Sequence, residues 1–93
     1  MPFIITKPLD EQKQEFISEV NSIAGVKITD SYPLYKQINL GRLPDSAETI
    51  AMYSFIDSVR NASNTASASI NSASSITEIR VAVDQFKETI ANL

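Results

Sequence analysis

The sequence predicts an all-α fold: a small helical bundle with a C-terminal antiparallel helical hairpin and an extended N-terminal arm. Three observations carry this. Apolar residues recur in alternating steps of four and three along both halves of the region after residue 46, which is the rhythm of helices packed on a shared seam. Helix stop and start signals separate these runs: Gly25, Gly41, Pro33, Pro44, a cap at Asp45 or Ser46 and another at Ser75. Ninety-three residues with 43% hydrophobic and 20% charged side chains describe one domain over residues 1–93, too short to divide into two cores.

In chain order, residues 1–9 hold Pro2 and Pro8 around Phe3, Ile4 and Ile5, a composition expected for an extended arm, frayed or docked. The first helix is expected over 10–24. Asp10 caps it, Glu11 and Glu15 suit the positive end, and Gly25 stops it. Phe16, Val20 and Ile23 give it one narrow apolar face, which places it on the outside of a bundle. A short second helix is expected over 32–40, with Pro33 in its first turn, where a missing amide hydrogen costs nothing. Gly41 ends it and Pro44 prevents its continuation.

The third helix is the longest, over 46–74. Asp45 or Ser46 caps it, and Glu48 stands three residues after Asp45 in the manner of a capping box. Its seam is Met52, Ile56, Val59, Ser63, Ala66, Ile70 and Ala73. Ser75 and Glu78 form a second capping box that opens the last helix, over 76–92, whose apolar positions are Ile76, Ile79, Val83, Phe86, Ile90 and Leu93. A tight serine turn between two heptad-patterned helices makes an antiparallel hairpin. Residues 62–76 carry no charge and are almost all small, so the two backbones can approach closely. Those small side chains either pack against Phe86 and Val83 or leave a groove for a partner.

Composition excludes several kinds of chemistry. With no cysteine and no histidine, the chain has no disulfide, thiol nucleophile or imidazole base, and it lacks the usual zinc ligands. A net charge of −3 with scattered Lys and Arg gives no basic stripe for nucleic acid. No segment approaches the ~20 apolar residues of a membrane span, and the opening residues lack a leader's basic and apolar regions. A protein made and kept in a cytoplasm until it is assembled elsewhere is the expectation. Glu11, Glu15 and Glu19 share one helical face, as do Asp84 and Glu88 beside Arg80 and Lys87. Carboxylates at that interval are ordinary on solvated faces, and two glycines cannot build a phosphate loop. No catalytic residue, no metal ligand and no cofactor site is predicted; the chain is expected not to be an enzyme.

The densest feature is the joint Tyr32-Pro33-Leu34-Tyr35-Lys36-Gln37-Ile38-Asn39. Leu34 and Ile38 are expected to face the hairpin, while Tyr35, Lys36, Gln37 and Asn39 alternate between supporting and outward positions. Tyr35 as a core ring would make its truncation cost ~3 kcal/mol. The amides of Gln37 and Asn39 are costly to bury alone, so they tie the joint to neighbouring backbone or meet a partner's polar groups.

Together with Met52, Phe55-Ile56-Asp57 and Val59-Arg60, this joint resembles a short helical module of tailed bacteriophages, found at the carboxyl end of tail-fibre-associated proteins. Its signature is Tyr-Pro-Leu-Trp-Lys-Gln-x-Asn followed by an Ile-Asp-x-Val-Arg helix. Tyr35 stands where tryptophan is usual and keeps an amphipathic aromatic. The resemblance covers residues 26–83, about three fifths of the chain. It implies a non-enzymatic tail structural protein of the virion, at a fibre, fibre adaptor or baseplate, that binds other tail proteins. It allows a homo-oligomer, a trimer by analogy with fibres, although the same seams could be satisfied within one chain as a closed monomeric bundle; neither nucleic acid nor membrane is expected as partner. A tail-fibre assembly chaperone absent from the mature particle, or a small host-directed regulatory binding protein, are the alternatives. The joint is either a partner-binding site or a signature of the fold.

Overall fold

The computed structural model describes residues 8–93 and contains four helices: α1 (Leu9–Ser31), α2 (Leu34–Gly41), α3 (Ala47–Ser72) and α4 (Ile76–Ala91). The described residues contain no strand, and the fold is the all-α small bundle with a C-terminal hairpin. Of the predicted arm over 1–9, residues 1–7 lie outside the described residues, while Pro8 is the N-cap of α1 and Leu9 packs on the core.

All seven predicted seam residues are buried, six in α3 and Ala73 as its C-cap; Val59, Ala66, Ile70 and Ala73 share one cluster with Ile79, Val83, Phe86 and Ile90 of α4. The turn between these two helices carries the expected Ser75 cap, with the return contact from Glu78 falling on Ser74 instead of Ser75. The Ser75 hydroxyl accepts from the Glu78 amide at 3.3 Å, and the Glu78 carboxylate accepts from the Ser74 amide in return. At the other end of α3 the cap is Ser46, whose hydroxyl accepts from the Thr49 amide at 3.1 Å. Glu48 reaches instead toward Lys36, at 3.8 Å, so the Asp45–Glu48 box does not form. Serines sit inside α3 because hydroxyls such as those of Ser58 and Ser72 return to the carbonyl four residues back, which satisfies the side chain without breaking the helix.

Helix α1 lies antiparallel to α3. Near its start Lys13 donates to the Asn71 carbonyl at 2.9 Å, supplying a cation at the C-terminal end of α3, which has none of its own. Near its end Ile28 packs with Leu40, Met52 and Ile56. Only Val20 and Ala24 of α1 are fully buried, which is the narrow face expected of an outer helix. Principal extents of 63 × 20 × 18 Å make the molecule a rod about two helix diameters thick. With 16 residues α4 is too short to follow the 26 of α3 to its start. The end of α1 and α2 cover the remaining turns with a second apolar cluster, Leu40, Met52 and Ile56.

The predicted end of the first helix at residue 24 is corrected to Ser31, and its predicted cap Asp10 to Pro8. No glycine in the described residues has a positive φ, so Gly25 is an ordinary helical residue rather than a left-handed stop. Its cost in a helix interior, about 1 kcal/mol, is offset by bringing Ile28 and Tyr32 onto the second apolar cluster. The helix ends where Pro33 forces the residue before it out of the α region, and Tyr32 sits at φ −133° and ψ 83°. A Cβ built on Gly25 meets nothing within 4 Å. Gly25→Ala is therefore expected to raise stability by ~0.5–1 kcal/mol, seen as a higher thermal midpoint; an unchanged or lower midpoint would show that α1 breaks there in solution.

Candidate protein-docking face

The joint is built around a short helix whose phase Pro33 sets. Pro33 is the N-cap of α2, outside the helix rather than in its first turn, and its carbonyl accepts from the amides of Lys36 and Gln37 at 2.9 and 3.0 Å. The Gln37 side chain donates to the Tyr32 carbonyl at 2.7 Å. That resolves one expectation in favour of the backbone tie: Gln37 closes the joint on itself. Tyr32 packs a tilted ring on Phe55, centroids 5.6 Å apart, and the Lys36 ammonium lies 5.4 Å from the Tyr32 ring centre.

The far end of α2 is tied to the start of α3 through one buried hydroxyl. Thr49, fully buried, donates to the Leu40 carbonyl at 2.8 Å, and its Oγ1 lies 2.7 Å from the Ser46 hydroxyl. Leu40 is one of the last residues of α2, whose carbonyls lack partners within the helix. Thr49 thus serves α2 with its side chain while its own amide is capped by Ser46.

These ties put Pro33, Lys36, Gln37 and Leu40 on the inward side of α2, at spacings of three, one and three. Everything between them turns outward. Leu34 is 67% exposed, Tyr35 69% and Ile38 53%, which corrects the expectation that Leu34 and Ile38 face the hairpin and that Tyr35 belongs to the core. Asn39 is exposed as well. The joint's residues are therefore divided: Tyr32, Pro33, Lys36 and Gln37 hold the fold, and Leu34, Tyr35 and Asn39 face solvent. Tyr35→Ala is expected to change stability by less than about 0.5 kcal/mol, because the ring is mostly solvated and little buried area is lost. A urea unfolding curve that moved by several times that amount would return the ring to the core.

The outward row continues beyond the joint. Leu34, Ile38 and Gly41 follow one another at helical spacing, and the Tyr53 hydroxyl of α3 lies 3.8 Å from where a Gly41 side chain would begin. Ile50, one turn before Tyr53, and Leu43, just past α2, are 60% and 59% exposed. Sequence reasoning missed Leu43, Ile50 and Tyr53 as part of this face. Six of the nine large apolar side chains exposed among the described residues, Leu34, Tyr35, Ile38, Leu43, Ile50 and Tyr53, belong to α2, the residues just past it and the first turns of α3.

Elsewhere the surface offers less. Between α3 and α4 runs an open groove of about 750 Å³ bordered by Ala62, Thr65, Ser69, Gln85, Phe86 and Leu93, where small residues leave space. Glu19 reaches Lys87 across the α1–α4 contact at 4.0 Å. Among the described residues no group of three or more acidic side chains is placed to hold a metal ion, and no helix is long and apolar enough to cross a membrane.

Fold and face together define a small all-α bundle that exposes a row of apolar side chains on a short helix. Comparison with protein-family models, with curated proteins and with solved structures gives no match to this chain.

Proposed function

We propose that this chain is a non-enzymatic structural protein of a bacteriophage tail, at a fibre, fibre adaptor or baseplate, acting by protein–protein binding through the outward face of α2. The observation that carries the binding part is the orientation of that helix. Tyr32, Lys36 and Gln37 are spent on holding it in place, while Leu34, Tyr35 and Ile38 are held out to solvent. A rigid element that exposes apolar side chains does so at a cost in solubility that a partner relieves. The tail setting rests on the resemblance of the Tyr32–Asn39 joint to the phage module.

Mass-spectrometric quantification of the chain in purified phage particles, relative to the capsid protein, tests the proposal. A fixed copy number per particle is expected of a tail subunit. A chain abundant in the infected lysate and missing from particles would replace it with an assembly chaperone or a host-directed binder.

A further inference from the structure

Resting on the reading of α2 as a docking face, we infer that the occupant of that face is a second copy of this chain, related by a two-fold axis that passes beside Ile38. Three properties of the face select a like surface. The first is charge. Between residues 34 and 53 the chain carries Lys36 and Arg42 against Asp45 and Glu48, two of each sign, whereas the whole chain carries −3. A strongly acidic or basic partner gains nothing from this face, and two copies of it meet without net repulsion.

The second is shape. Ile38 stands in the middle of the outward row, with Leu34 one turn before it and Gly41 one turn after it. Two α2 helices crossing antiparallel at Ile38 bring Leu34 of each copy over Gly41 of the other. Gly41 offers a notch there, since the Tyr53 hydroxyl at 3.8 Å is the nearest atom to the space a side chain would fill. An isologous contact requires such self-complementarity, with a knob and its hole on one surface.

The third is area. Six side chains of this size, half to two-thirds exposed, present on the order of 600 Å² per copy. A specific interface buries roughly 800 Å² per partner, so these apolar side chains supply most of it and the exposed Arg42 and Asp45 extend it toward the standard size. The rod form leaves that end of the molecule free to pair, because α4 stops short of it.

A residue on a two-fold axis meets its own copy, and this gives the test. Light scattering coupled to size exclusion should give the chain twice its 10.2 kDa mass. Ile38→Glu and Ile38→Lys should each retain the helical circular dichroism and weaken self-association about a hundredfold, by setting like charges against each other. Mixing the two variants should restore a 1:1 dimer by native mass spectrometry. Gly41→Leu, which fills the notch, should also give a monomer. A wild-type monomer at the highest concentration reached, a trimer, or a dimer indifferent to residue 38 would overturn the inference. A monomer present at fixed copy number in phage particles would overturn the two-fold pairing alone and leave the tail assignment standing. A dimer missing from particles would do the reverse.

Discussion

Phe86→Ala is expected to lower the unfolding free energy by ~4 kcal/mol, the largest single effect we foresee in this chain. Phe86 is 2% exposed and is the largest side chain in the seam between α3 and α4, within the same apolar cluster as Val59, Ala66 and Ile79. Its neighbours on α3 are small, Ala62 and Ala66 among them, and they cannot swing in to fill the space the ring leaves. The cost therefore includes both the lost transfer energy of the ring and most of the cavity. A domain of this size holds roughly 5–14 kcal/mol in all, so this loss is a large share of it. Equilibrium urea unfolding followed by circular dichroism measures it. A loss below ~1.5 kcal/mol would mean that α4 repacks along the groove of small residues, and the hairpin would then be a sliding contact rather than a fixed one.

Thr49→Val is expected to cost ~2 kcal/mol and, unlike the first substitution, to act mainly at one end of the rod. Valine matches threonine in shape, so the packing against Leu40 and Met52 survives. What disappears is the hydroxyl that donates to the Leu40 carbonyl and sits beside Ser46. The Leu40 carbonyl keeps only the Leu43 amide at 2.9 Å, and the Ser46 hydroxyl loses its side-chain partner. Because α2 packs on α3 through this junction and the small cluster of Leu40, Met52 and Ile56, its amides should exchange with solvent well before those of α3 and α4. Hydrogen exchange read by mass spectrometry resolves this. Uniform loss of protection along the chain would show that the two apolar clusters melt as one unit. The substitution also separates fold from docking, since it loosens the support of α2 without touching any outward side chain.

The hairpin was legible in the sequence because its information is local and periodic. Seven positions of α3 and its C-cap picked by their steps of four and three are all buried, and so are Ile79, Val83, Phe86 and Ile90 of α4. Leu93, the last member of that row, is 47% exposed, since it lies past the end of α4, beyond the last helical turn that holds the row against α3. The Ser75 cap on Glu78 was legible for the same reason: it is a contact between residues three apart. The Ser46 cap was found only as one of two candidates, because Asp45 and Ser46 have equal chemistry and Thr49, the residue that decides between them, gains its importance from Leu40 nine positions away.

Gly25 and the joint mark where local signals stopped being sufficient. Glycine is a stop when the chain needs a left-handed residue, and nothing in its neighbours says whether it does. Here Ile28 and Tyr32 find burial against Met52, Ile56 and Phe55 only if the helix continues. In the joint, Tyr32 and Gln37 take the roles of aromatic anchor and partnered amide, whereas Tyr35 and Asn39 face solvent, so residue type alone did not give direction. A shift of one residue in the start of α2 rotates every side chain by about 100°, and that start is set by Pro33 together with the Gln37 amide reaching back to Tyr32.

By itself, then, the sequence determined an all-α chain, the seam of its hairpin and the capped turn that forms it, because periodicity and capping are properties of neighbours along the chain. Tertiary structure alone decided that α1 runs through Gly25 and that α2 holds its apolar row outward. Both depend on apolar burial and one buried hydroxyl bond between segments distant in sequence, whose free energies exceed the local preferences they override.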